Sequence, residues 1–427
     1  MIKPLDKEKV FSLIEAEKER IINFAQSLIR IPSTNHPPTG DEKECQLFIA
    51  DKIKKMGLKV DIFTPDEVEK LKEHPAYLPG RDYTNRPNVV GVYKGNGGGK
   101  SLLLMAHTDV ELPGAKELWD NKDPWSGEIK EGKLFGRGSG DDKSGIVAQT
   151  MALEAVMRAG YHLNGDVILC AVVDEEQGGG NGTLSCILRG YSANAAIYLD
   201  GTSEIQIANL GGSSFEITVW TKGHADIDRT LKIMKRVYQA IKDLREKRKK
   251  TFRDSSIYRN NPAVERTIWV SKFVVGGKET GGTVNIGKIL CWMYMLPGEE
   301  KEEIKRLFEN YFKEIAQEDE KVKFRWRGRW LLPSMISAEE EIVNTVAKAY
   351  KEVTNENPVI GGAPMCDLYL LNFYSRMPAF MSGIQRWNQE GGAHQPNEYV
   401  KINDLITYTK VIALSIMDWC GYSSIKG

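Results

Sequence analysis

Three apolar runs in the first half of the chain each end in residues that can hold a cation or move a proton. Leu102–Ala106 runs into His107-Thr108-Asp109, Val167–Val173 into Asp174-Glu175-Glu176, and Ile197–Leu199 into Asp200. A fourth segment, Gly136-Arg137-Gly138-Ser139-Gly140-Asp141-Asp142-Lys143, is a glycine-rich turn ahead of a helical stretch. Carboxylates gathered at close range stay ionised only when positive charge compensates them. Imidazole with carboxylate oxygens, and no thiolate, suits zinc, cobalt or manganese at a hydrolytic centre. A ligating imidazole usually donates its second N–H to a carboxylate, and Asp109 is placed to receive it from His107. Glu175 and Glu176 are adjacent, so one can ligate while the other shuttles a proton. Among six histidines the other suggestive one is His394, in Gly391-Gly392-Ala393-His394-Gln395-Pro396-Asn397-Glu398.

Alone, each of these is ordinary: an H-x-D is usually loop chemistry, a D-E-E a solvated turn, and Asp200 a turn or cap residue. The glycine run lacks G-x-x-x-x-G-K-[ST] and the setting of G-x-G-x-x-G, so it is not a phosphate loop. Four such segments in order on one frame are a much stronger signal, and the frame is legible. Strands are expected near 58–63, 88–93, 101–106, 166–173 and 193–199, and helices over 7–30, 41–56 and 144–159. That alternation predicts a largely parallel α/β sheet, whose strand ends gather ligands at one edge. After about residue 210 the order becomes β-α-β-β-α-β, a split βαβ arrangement, before helices return at 338–355 and 403–419.

The chain has 427 residues, with 58 Lys+Arg against 58 Asp+Glu. That zero balance argues against nucleic acid as a partner, because such binders need a basic excess. No stretch reaches the roughly 18 apolar residues of a membrane span, so no membrane association is expected. Six scattered cysteines without a C-x-x-C pair read as reduced core residues of a cytoplasmic protein.

His107-Thr108-Asp109, Trp125-Ser126-Gly127-Glu128, Gly136-Arg137-Gly138, Asp141-Asp142-Lys143, Asp174-Glu175-Glu176, Asp200 and His394-Gln395-Pro396-Asn397-Glu398 together resemble a known family. It is the co-catalytic zinc amidohydrolase and metallopeptidase family of acetylornithine deacetylase, succinyl-diaminopimelate desuccinylase, aminoacylase and the glutamate carboxypeptidases. The resemblance implies a zinc-peptidase-like α/β catalytic domain with a mixed, largely parallel sheet, interrupted by a ferredoxin-like α+β lid and dimerisation domain. The expected boundaries are 1–210 and 333–427 for the catalytic domain and 211–332 for the lid. Two divalent cations are implied, zinc first, with cobalt or manganese as alternatives. By position, His107, Asp141 and Asp200 would hold one, and Glu176 and His394 the other, with Asp141 bridging. Glu175 matches the general base, and Asp109 the residue that orients His107.

The implied reaction is hydrolysis of an amide bond in N-acyl amino acids, short peptides or related small amides, by a homodimer. His224, in Lys222-Gly223-His224-Ala225, resembles the lid histidine that stabilises the oxyanion in the partner's active site, although the loop after it is shortened to Asp226-Ile227-Asp228. Asn285 matches a substrate-binding asparagine. The pattern departs in two places: no arginine stands in Cys291–Leu296 before Pro297-Gly298, and Leu368-Tyr369 follow Asp367. The guanidinium clamp for a substrate carboxylate is therefore absent from both positions. Two alternatives follow. One is a non-catalytic, metal-stabilised binding or assembly protein of the same fold. The other is a deformylase of a small amine, since Glu69–Glu73 and Asp418-Trp419-Cys420 resemble a branch that includes a deformylase of thiamin-derived aminopyrimidines.

Overall fold

The computed structural model describes residues 2–221, 227–315, 320–387 and 389–424. The described chain forms two compact units, one of Met1–Ile207, Ile336–Ile360 and Leu370–Gly427, the other of Ala208–Met335 and Gly361–Tyr369. The principal strands are β1 (Lys59–Phe63), β2 (Asn88–Tyr93), β3 (Leu102–His107), β4 (Val167–Val172), β5 (Ala195–Tyr198) and β6 (Ile205–Thr221). They continue as β7 (Ile268–Val275), β8 (Ile286–Met295), β9 (Glu320–Leu331), β10 (Ile360–Met365) and β11 (Ala379–Met381). The longer helices are α1 (Pro4–Ala16), α2 (Lys18–Ile29), α3 (Lys43–Lys55), α4 (Lys143–Arg158), α5 (Asn181–Leu188), α6 (Ile227–Asp254), α7 (Lys301–Lys313), α8 (Glu341–Thr354) and α9 (Ile402–Cys420). The single helix expected over 7–30 is broken at Glu17 (φ −101°, ψ 15°) into α1 and α2.

In the first unit the strand order is β11-β5-β3-β4-β2-β1. The four strands from β11 to β4 run parallel, and β2 and β1 are antiparallel additions. Every residue of β3 and β4 is buried, which is why these strands read as continuous apolar runs rather than alternating ones. Helices α4 and α9 are buried along most of their length and pack on each other. Register does the work the site needs. Tyr198 lies opposite Met105 and His107 opposite Val172, so the carboxyl ends of β3, β4 and β5 come level at one edge.

The second unit is β-α-β-β-α-β, with antiparallel order β9-β6-β8-β7. Alternate residues of β6 (Phe215, Ile217, Val219) and β8 (Ile289, Cys291, Met293) are buried with Ile233, Met234, Val237, Ile241 and Leu244 of α6 and Ile304, Phe308 and Phe312 of α7. Helix periodicity on one side and strand alternation on the other thus fill a single apolar layer. The Phe215 ring lies 5.5 Å from that of Phe308 and 5.7 Å from that of Phe312. Phe215→Ala is expected to cost this unit about 3–5 kcal/mol, read as a lower urea midpoint. Residues 361–369 group with the second unit because β10 pairs with β6 and Tyr258 and Asn261 donate to the Ala363 and Gly362 carbonyls (3.0 and 2.7 Å). The six cysteines are free and buried. Among the described residues no helix is long and apolar enough to cross a membrane.

Candidate metal centre

The level strand ends bring His107, the 174–176 turn and Asp200 together, and the 136–142 loop adds Asp141. Glu398 shapes that loop. Its carboxylate accepts the N–H groups of Gly138 (3.1 Å), Gly140 (2.9 Å) and Asp141 (3.1 Å) and pairs with Arg137 at 2.6 Å. Gly138 is required there, since its φ is +81° and a Cβ would lie 2.4 Å from Val110 Cγ1. Lys143, wholly buried at the start of α4, donates to the Leu28 and Ile31 carbonyls (2.9 and 2.7 Å) and so pins the other end of the loop.

Asp141 is the hub. Its Oδ1 lies 3.0 Å from His107 Nε2 and its Oδ2 3.0 Å from His394 Nε2. His107 Nε2 is also 3.6 Å from Asp200 Oδ1, and His394 Nε2 is 3.1 Å from Glu176 Oε2. Glu175 is half-buried, and one of its carboxylate oxygens lies within 4.8 Å of ligand atoms of both His107 and Asp200. The orientation of His107 differs in one respect from the sequence expectation. Its Nδ1 meets the Asp109 main-chain carbonyl at 2.9 Å, whereas the Asp109 carboxylate stands 3.7 Å away. That carboxylate is occupied elsewhere: it accepts the N–H groups of Glu175 (3.1 Å) and Glu176 (2.9 Å) and the Asn35 side-chain amide (2.8 Å). Asp109 therefore positions both the imidazole and the two glutamates, by different atoms.

Several residues were not foreseen. Asn35 also donates to Asp174 Oδ1 at 3.3 Å, and Asp174 accepts the Tyr83 hydroxyl at 2.6 Å. Behind them the wholly buried Arg86 forks onto Glu42 at 2.6–2.9 Å. Arg86→Ala would leave Glu42 buried without its partner, and about 3–5 kcal/mol of stability is expected to be lost in urea denaturation. Gln385 places its amide nitrogen 2.9 Å from Asp141 Oδ1 and also on Asp200, and accepts the Trp387 indole N–H. Trp387 packs edge-on against His394, with ring centroids 5.0 Å apart. Nothing in the local sequence marked Gln385, and Glu398 was visible only as the end of the His394 motif. Asn285 lies in the second unit and donates to the Thr221 carbonyl at 3.3 Å. His224 is outside the described residues.

Charge tests the fit of a cation pair. Burial pushes Glu176 up to about 8 and Asp200 up to about 6, against the pull of the neighbouring imidazoles. Burial disfavours the His394 imidazolium, yet Glu176 and Asp141 hold it up at about 12. The pocket thus holds more carboxylate than its low-dielectric setting can keep ionised without added positive charge. Two imidazole nitrogens and three carboxylates, with Asp141 presenting one oxygen to each half, form a donor set that fits two divalent cations. In this arrangement His107, Asp141 and Asp200 would hold one and Glu176, His394 and Asp141 the other.

Comparison with known proteins places the chain in a family. The model of peptidase family M20/M25/M40 matches residues 103–418. The N-formyl-4-amino-5-aminomethyl-2-methylpyrimidine deformylase of Halalkalibacterium halodurans is 26% identical over 97% of this chain and 97% of its own. The succinyl-diaminopimelate desuccinylase of Buchnera aphidicola is 30% identical over 39% of this chain and 37% of its own. Human carnosine dipeptidase 1 shares the fold, with a TM-score of 0.72 at 14% identity, over 97% of this chain and 98% of its own.

Proposed function

This chain belongs to peptidase family M20/M25/M40 and is a metal-dependent hydrolase of amide bonds; we propose that its substrates are small N-acyl amines, formamides foremost, and that Glu175 moves the protons. The observation that carries the substrate class is the end-to-end similarity to a deformylase of an aminomethylpyrimidine. The two positions without an arginine support the same choice, since a formamide of a simple amine presents no carboxylate to clamp.

The two sets of ligands named above would hold the cation pair, zinc ahead of cobalt or manganese. Bound divalent cations supply the Lewis acidity that polarises an amide carbonyl and makes water a stronger acid. Glu175, its main chain held by Asp109, takes the proton of the attacking water and returns it to the leaving nitrogen. Water adds to the carbonyl carbon, the C–N bond breaks, and the products are a carboxylic acid and an amine. His107 is kept in one tautomer by the Asp109 carbonyl, so its Nε2 stays turned towards Asp141 and Asp200. The reading includes a cytoplasmic homodimer in which His224 serves the partner's site, and sedimentation showing only monomer would refute that part.

Amine release from a panel of formamides (including an N-formyl aminomethylpyrimidine), N-acetyl amino acids and dipeptides tests the substrate class. Formamides turned over fastest, with the reaction lost in Glu175→Gln, is the expected result. Faster turnover of dipeptides or N-acetyl amino acids would overturn the choice of formamides.

A further inference from the structure

Glu111 stands two residues beyond Asp109, and the sequence motifs gave it no role. One of its carboxylate oxygens, a carboxylate oxygen of Glu176 and a ring nitrogen of His394 all lie within 4.8 Å of one another. The main-chain N–H of Glu111 donates to Glu176 Oε1 at 3.1 Å, which ties the two segments together. Its side chain is held as well: Gln177 donates to Oε1, and the Leu112 N–H approaches Oε2 at 3.3 Å. The half-buried carboxylate is thus fixed beside Glu176 and beside His394, whose Nε2 lies 3.1 Å from Glu176 and 3.0 Å from Asp141.

We propose that Glu111 is a further protein ligand of the cation held by Glu176, His394 and Asp141, and that it makes this position the harder of the two. The proposal rests on the metal-centre reading above. Without Glu111 both positions offer one imidazole and two carboxylates, His107 with Asp141 and Asp200 against His394 with Asp141 and Glu176. With it, and with Glu175 serving as the base rather than a ligand, the second position offers three carboxylates to one imidazole. Oxygen-rich donor sets suit manganese, whereas imidazole suits zinc. The two positions therefore differ in charge and in preference, although they share Asp141.

The test is calorimetric titration of the full-length, chelator-stripped protein with zinc and, separately, manganese, for the wild type, Glu111→Gln and Gln177→Ala. The wild type is expected to show two binding steps. Glu111→Gln should weaken one step by about tenfold or more, with manganese losing more than zinc, and leave the other step unchanged. Gln177→Ala, which keeps the carboxylate, should retain both steps. The absorption of a cobalt-loaded sample should also change in Glu111→Gln, because the number of ligands has changed, while thermal unfolding of the stripped protein should not. Glu111→Gln titrations that overlay the wild type, or that weaken both steps equally, would overturn the role of Glu111 alone. A wild type that takes up no metal would overturn the metal-centre reading together with it.

Discussion

Replacing Glu175 with glutamine is expected to lower kcat by about 10²–10⁴-fold while leaving the metal content unchanged. The substitution keeps the size of the side chain and the main-chain bond to Asp109, so what is lost is a carboxylate able to accept and return a proton. The metal measurement is essential because a Glu175 oxygen also lies within 4.8 Å of ligand atoms of His107 and Asp200. If Glu175 were a ligand, the variant would lose a cation along with its activity. If it is the base, metal content and KM stay near their wild-type values and the loss falls on kcat. Retention of more than about a tenth of wild-type kcat would be outside the range for removal of a general base and would assign the proton transfer to another group.

The second large effect belongs to Asp141. Its two oxygens face different histidines at 3.0 Å each, so Asp141→Ala removes a donor from both cation positions at once. The variant, dialysed and analysed for metal, is expected to retain neither cation and to show no turnover. His394→Ala removes a donor from one position only and should retain the cation held by His107 and Asp200. Equal loss of both cations in the two variants would contradict the division of ligands. Loss of only one in Asp141→Ala would mean that the carboxylate does not bridge.

Much of the candidate centre was legible because several of its residues sit at strand ends. A buried parallel strand announces itself as an apolar run, and the polar residue that ends it must lie at the sheet edge, as His107, Glu175 and Asp200 do. What was not legible is held together by contacts between distant parts of the chain. Asn35 reaches Asp109 and Asp174 across 74 and 139 residues, and Gln385 reaches Asp141 across 244. No local periodicity encodes such pairings. The choice of the Asp109 carbonyl over its carboxylate was equally hidden, since both belong to one residue and only the path of the turn separates them. The split βαβ order of the second unit, by contrast, could be read from alternation and helical spacing alone.

The grip of Glu398 on the 136–142 loop also has a temporal side. On the ribosome, residues 138–141 emerge long before the carboxylate that accepts their N–H groups, 257 to 260 residues behind in synthesis. At typical elongation rates that interval is roughly 13–52 s. Throughout it the nascent loop carries Asp141 without Arg137's partner, without His394 and without the template for its turns. A cation pair held by these residues could be captured in its final geometry only after the intervening second unit has been made, so assembly of such a centre would be a late event in the life of each new chain.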